Sequence, residues 1–140
     1  MTAPGAGRPN EFLWMPLRHR LRWALAGSAV VSAGVHVPVV SDHLREAPYM
    51  GWEFVVLIVA CLCIAVGALV CDSGALYAAA VFTCSTAVLG YAATRSVAFP
   101  RLADDVGNWF EPLGVASILA ESVVVITAVV ALARRTPRDG

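Results

Sequence analysis

Long apolar segments alternate with polar stretches along the whole chain. Because an α-helix advances about 1.5 Å per residue and the hydrocarbon core of a bilayer is about 30 Å thick, segments of this length can cross a membrane. The pattern predicts an all-α bundle of four transmembrane helices, flanked by an N-terminal arm and a C-terminal tail. The predicted helices are residues 23–40, 54–70, 75–94 and 113–133, the arm is residues 1–22, and the tail is residues 134–140.

Proline and small polar residues predict where the helices begin and end. Pro38 should kink or end the first helix, and Ser41 or Asp42 could then cap a short interfacial helix that stops before Pro48. Residues 71–74 predict a tight turn between the second and third helices.

The fourth helix has a start signal of its own. Pro112 suits the first turn, where a missing N–H costs nothing, and Asn108 is a candidate cap upstream.

Arginine predicts the orientation in the membrane. Three arginines lie on the side of the two longer loops, at Arg45, Arg95 and Arg101, and seven lie on the side of the termini: Arg8, Arg18, Arg20, Arg22, Arg134, Arg135 and Arg138. The positive-inside rule then places both termini in the cytoplasm and the longer loops outside. Those loops hold six of the ten acidic residues, so the outer face should attract cations.

Composition supports a membrane protein. The chain is 59% hydrophobic and only 14% charged, whereas about a quarter of the residues of a soluble domain are charged. A lipid bilayer is therefore the expected partner. The formal net charge is zero and no basic stripe is interleaved with aromatics, so no nucleic acid partner is expected.

The four cysteines lie within or beside apolar segments. Cys61 and Cys63 would point about 200° apart on a helix, so they should be packing residues and not a metal pair.

Glu121 is the most informative residue, because it interrupts an otherwise apolar helix. A charge at the centre of a membrane helix costs roughly 2.5–3.5 kcal/mol, and such residues usually face a bundle interior, a partner or a pathway. With the predicted helix ends, Glu121 lies about 12 Å below the outer boundary, and His36 and Tyr91 lie about 6 Å below it. The polar groups thus converge on the outer half of the bundle.

These residues predict a cation site. Two imidazoles and one or two carboxylates suit a divalent transition metal such as zinc, iron, copper or manganese. The candidate ligands are His36, His43 and Glu121, and the candidate mouth residues are Glu46, Glu53, Tyr91 and Glu111.

Three simpler interpretations stay open for the same residues. In the first, His36 and Glu121 are a structural polar pair between helices. In the second, His43 and Glu46 are a solvated pair in the loop. In the third, Glu121, His36 and Tyr91 form a proton relay.

The leading hypothesis is a small membrane protein that binds a transition metal or a proton in its outer half. The alternative is an accessory or homo-oligomeric subunit of a larger membrane complex, in which Glu121 and His36 pair structurally and small residues such as Gly27 and Gly34 favour close helix packing. An enzyme acting on lipid or quinone is a third class, but the sequence shows no nucleophile–base set for it.

A set of dispersed residues resembles small, uncharacterised four-span membrane proteins common in actinobacteria. The set spans residues 23–133, and its strongest parts are the two histidines seven residues apart and the stretch Trp109-Phe110-Glu111-Pro112-Leu113-Gly114; it also includes Leu44, Ala47, Pro48, Gly51, Phe54, Arg95, Pro100, Ser117 and Glu121. The resemblance implies the four-helix architecture and a bacterial inner membrane, and it implies no activity, cofactor or partner.

Overall fold

The computed structural model describes Trp14 and residues 20–134. The predicted arm at residues 1–22 and the tail at residues 134–140 therefore lie almost wholly outside the described residues.

Four long helices build the described part of the chain, and this confirms the predicted all-α four-helix fold. The helices are α1 (Leu21–Glu46), α2 (Pro48–Val70), α3 (Gly74–Ser96) and α4 (Pro112–Ala133), and a single 3₁₀ turn at Ala103–Asp105 lies between α3 and α4. All four are long and apolar enough to cross a membrane.

The first connection differs from the prediction. Pro38 neither ends nor interrupts α1, and Ser41 and Asp42 lie inside that helix, so no separate interfacial helix exists there. Membrane helices tolerate an internal proline because neighbouring groups satisfy the freed backbone carbonyl. Ala47 alone links α1 to α2, and Pro48 occupies the first turn of α2.

The tight connection at Ala47 requires a glycine in α2. A Cβ on Gly51 would lie 2.6 Å from the backbone nitrogen of Leu44, so only glycine allows α1 and α2 to approach this closely. The helices pack in the cyclic order α1, α2, α3, α4, and α2 and α3 make the least contact of the neighbouring pairs.

The start of α4 also differs from the prediction. The cap is Glu111 and not Asn108, because the Glu111 side chain accepts a hydrogen bond of 3.1 Å from the backbone N–H of Gly114. Pro112 occupies the first turn as predicted.

The end of the bundle nearer the termini is closed by the turn at Cys71–Ser73. The backbone of Asp72 is in the left-handed region with φ 44°, which Asp tolerates, and the buried Asp72 carboxylate accepts a hydrogen bond of 2.7 Å from the Tyr77 hydroxyl. On α2, Cys61 is buried and Cys63 exposed, as the helical spacing predicts.

Candidate functional site

The half of the bundle near Ala47 and the α3–α4 loop (residues 97–111) is called the loop end here. It corresponds to the predicted outer half. His36 lies ten residues before the end of α1 at Glu46, and Glu121 lies nine residues after the start of α4 at Pro112. These offsets correspond to depths of about 15 and 14 Å, so the two side chains meet at one level. The predicted depth of His36 was too small, because the first helix was expected to end at residue 40 and extends to Glu46.

His36 and Glu121 form a buried pair between α1 and α4. The His36 Nε2 atom lies 3.5 Å from Glu121 Oε1, and the two residues are only 6% and 1% exposed. The other ring nitrogen, Nδ1, is 2.8 Å from the carbonyl oxygen of Ser32. A carbonyl only accepts hydrogen bonds, so Nδ1 carries a proton and donates it to this contact.

This tautomer determines which hydrogen-bonding atoms of His36 and Glu121 face each other. With Nδ1 protonated, Nε2 of a neutral imidazole is an acceptor, and so is a carboxylate oxygen. Two acceptors that face each other at this distance repel unless a proton lies on one of them. The geometry therefore suits a pair that holds one proton.

His43 lies seven residues further along α1 than His36, about two helical turns, and an aromatic ring packs between the two imidazoles. Its Nδ1 atom is 2.9 Å from the carbonyl oxygen of Val39, so Nε2 is its available nitrogen. The Phe54 ring contacts both imidazoles, with centroid distances of 5.2 Å to His36 and 4.8 Å to His43.

The predicted metal ligands do not converge on one point. Within Trp14 and residues 20–134, no group of three or more His, Cys, Asp or Glu side chains could hold a metal ion. Of the predicted set of His36, His43 and Glu121, the structure brings together the first and the last.

The arginine near the end of α3 organises the mouth of the site. Arg95 Nη1 is 2.9 Å from Asp105, Nη2 is 3.5 Å from Glu111, and the guanidinium carbon lies 4.6 Å from the centre of the Tyr91 ring. The Arg95 side chain is 8% exposed, whereas its carboxylate partners Asp105 and Glu111 are half-buried, so the guanidinium lies on the inner side of this network. The spacing of four residues between Tyr91 and Arg95 was the signal that could have revealed it.

Two tyrosine hydroxyls hold the α3–α4 loop over the bundle. Tyr49 donates to the carbonyl of Pro100 at 2.8 Å, and Tyr91 donates to the carbonyl of Trp109 at 2.9 Å. Tyr91 also packs on Gly114, where a Cβ would overlap its ring. Tyr91 therefore lies nearer the loop end of the cavity than Glu121 does.

A cavity of about 1150 Å³ joins the pair to this mouth. All the predicted site residues line it: His36, His43, Glu46, Glu53, Tyr91, Glu111 and Glu121. The wall between α2 and α3 is open, because the lining residues Val56, Phe82, Thr86 and Gly90 are exposed there. In a membrane this opening would face the lipid.

The charge of the cavity is strongly negative. Its lining has one guanidinium, that of Arg95, and six carboxyl groups: Asp42, Glu46, Glu53, Asp105, Glu111 and Glu121. Two of these carboxylates already flank the guanidinium, which leaves the others to attract a cation.

The unsatisfied polar atoms of the described residues also belong to this cavity. Among the described residues, two buried side-chain atoms lack a hydrogen-bond partner, Glu121 Oε1 and Arg95 Nε. Both residues line the cavity. Buried polar atoms are nearly always satisfied, and exceptions point to a functional site.

Comparison with protein families, curated proteins and solved structures found no significant match. The resemblance to small actinobacterial membrane proteins therefore stays a prediction, and the chemistry of the site has to be argued from its own residues.

Proposed function

We propose that the protein is a small membrane protein with a cation site in its outer half, and that the cation held by His36 and Glu121 is a proton. The observation that carries the proposal is the orientation of His36. Its Nδ1 atom is engaged by Ser32, and its Nε2 atom faces a carboxyl oxygen 3.5 Å away. One proton on either side chain removes the repulsion between these acceptors.

The surroundings favour exchange of that proton. An isolated carboxylate inside a membrane protein is costly, so Glu121 needs either a proton or another cation beside it. The titratable groups facing it are His36 from α1, Cys61 from α2 and Cys84 from α3, and none of them carries a permanent positive charge. A cation that reaches the cavity can therefore replace the proton.

The transition-metal version of the predicted site is less well supported. His36 and Glu121 offer two ligands, and within the described part of the chain no third His, Cys, Asp or Glu completes a metal-holding group with them. Elemental analysis of the purified protein tests this version, because a bound metal that is lost in both His36→Ala and Glu121→Gln would favour it.

Infrared difference spectroscopy over a pH series tests the proton version. A protonated carboxyl group has a C=O stretching band that disappears on ionisation, and we expect such a band to vanish in Glu121→Gln. Asp104→Asn is the matched control, because Asp104 is exposed and does not line the cavity. If no titrating carboxyl band depends on Glu121, the proposed function is wrong.

The accessory or homo-oligomeric subunit remains the alternative prediction. In that case the His36–Glu121 pair only joins α1 to α4, and a stable partner should copurify with the protein in a gentle detergent.

A further inference from the structure

We propose that the cation which exchanges with this proton is a lipophilic organic cation, a drug-sized molecule with one positive charge on a hydrophobic body. The inference rests on the proposed function, because it uses the same Glu121 site. It adds the class of ligand and the route of entry.

The size and shape of the cavity are the first argument. At about 1150 Å³ it is somewhat above the usual range for drug-sized ligands, roughly 300–1,000 Å³, and far larger than a proton or a metal ion needs. Apolar residues of α2 and α3, such as Val56, Leu57 and Phe82, form much of the wall. A hydrophobic ligand body would replace lipid against these side chains.

Aromatic rings supply the second argument. Phe54 lies between the two histidines, and Tyr49, Trp52, Phe82 and Tyr91 also line the cavity. Aromatic faces attract cations, and cages of such rings are used to recognise quaternary ammonium groups. Aromatic rings beside carboxylates are thus suited to a cation that has no hydrogen to donate.

The unsatisfied carboxyl oxygen gives the charge a place to bind. Glu121 is 1% exposed, it lines the cavity, and its Oε1 atom has no hydrogen-bond partner. When the cation arrives, the proton that one of the two side chains holds leaves for the solvent and the carboxylate remains. One positive charge replaces another, so the buried site keeps its net charge.

The same charges disfavour anionic or zwitterionic ligands. A phosphate or carboxylate would have to bind the Arg95 guanidinium, whose Nη1 and Nη2 atoms already lie 2.9 Å from Asp105 and 3.5 Å from Glu111, so that only the buried Nε is left to donate. A phospholipid headgroup is therefore a poor occupant, whereas a cation without an attached anion suits the lining.

The opening between α2 and α3 provides the route. Phe82 is 75% exposed, and Thr86 and Gly90 on the same wall are also exposed. A lipophilic cation dissolved in the membrane could enter here without crossing the loops.

Binding of tetraphenylphosphonium to the purified full chain in detergent tests the proposal. Tetraphenylborate is the matched ligand control, because it has the same shape and the opposite charge. We expect saturable binding of the phosphonium only, the release of one proton per cation bound, and at least tenfold weaker binding to Glu121→Gln.

A pair of glycine variants tests the location without touching Glu121. A Cβ at Gly90 or at Gly27 meets no atom within 4 Å and both residues are exposed, so a larger side chain such as leucine should be tolerated at either position. Gly90 lines the cavity and Gly27 does not. Gly90→Leu should therefore weaken phosphonium binding at least tenfold, and Gly27→Leu should leave it unchanged.

Two outcomes separate this inference from the proposed function. Equal uptake of both ions, or phosphonium binding that neither Glu121→Gln nor Gly90→Leu weakens, would overturn the inference. If the infrared band of Glu121 still titrates in that case, the proton site stands and only the ligand class is wrong.

Discussion

Replacing His36 and Glu121 together by apolar residues should leave the bundle at least as stable as the original protein. The substitutions are His36→Leu and Glu121→Met, which roughly keep the side-chain volumes. The expectation follows from the long 3.5 Å contact between the two side chains and from the unsatisfied Oε1 atom of Glu121.

The magnitude comes from two opposing contributions. An unsatisfied buried polar atom costs about 1–3 kcal/mol. Polar contacts between membrane helices contribute about 0.6 kcal/mol on average and at most about 1.7 kcal/mol. The hydrogen bond from His36 Nδ1 to the Ser32 carbonyl lies within α1. Its loss leaves no unpaired carbonyl, because the Ser32 carbonyl also accepts the helical backbone hydrogen bond. With the average contact the net change is a gain of about 0.4 to 2.4 kcal/mol, and with the strongest contact the lower limit is a loss of about 0.7 kcal/mol.

Unfolding in mixed micelles with increasing SDS, followed by circular dichroism, measures this change. Val124→Ala on α4 is a control for sensitivity, because Val124 is fully buried and its truncation should destabilise the bundle by about 1 kcal/mol or more. A double variant that is less stable than the original by more than about 2 kcal/mol would refute the reasoning and favour a structural pair.

Two further outcomes are expected. Gly114→Ala should destabilise the bundle by about 1–3 kcal/mol in the same unfolding assay, because the added Cβ would overlap the Tyr91 ring. Gly34→Ala should be neutral or stabilising by up to about 1 kcal/mol, because a Cβ there meets no atom within 4 Å. Equal effects of the two variants would contradict the packing around Gly114. In a variant whose sole cysteine is the exposed Cys71, a membrane-impermeant maleimide should label that cysteine only from the cytoplasmic side. In a second variant whose sole cysteine is the buried Cys84, labelling should require unfolding. Labelling of Cys71 from outside would contradict the predicted orientation.

Sequence alone was sufficient for the number and approximate positions of the helices. Hydrophobic length decides which segments can span a bilayer, and this property is local. The errors occurred where tertiary contacts override local preference: Pro38 stays inside α1, and α2 begins six residues before the predicted residue 54. There the close contact between Gly51 and Leu44, and not a turn signal, sets the geometry.

The candidate site was predicted as a set of residues but not as an arrangement. The depth of a residue in the membrane follows from the number of residues to the helix end, so the convergence of His36 and Glu121 on one half was predictable. Which faces of two helices pack together does not follow from such a count. The contact of Phe54 with both histidines and the burial of Arg95 therefore required the structure. The contact of Phe54 with both imidazoles is the kind of detail that bears on whether the site suits a metal or a proton.

The positions of the two unsatisfied atoms favour a binding site over structural pairing. If the polar groups only joined helices, each would be expected to have a partner within the bundle, because an unpaired buried polar group destabilises the fold. Instead, Glu121 Oε1 and Arg95 Nε both belong to residues lining one cavity, one deep between α1 and α4 and one at the mouth. Sequences depart from local rules mainly where function requires it. The deep atom lies where a permanent cation could replace a proton. At the mouth, two carboxylates flank Arg95, the guanidinium that the described residues contribute to the lining. The proposed ligand with one positive charge therefore fits the deep end of the cavity, where the carboxyl oxygen of Glu121 is unpaired.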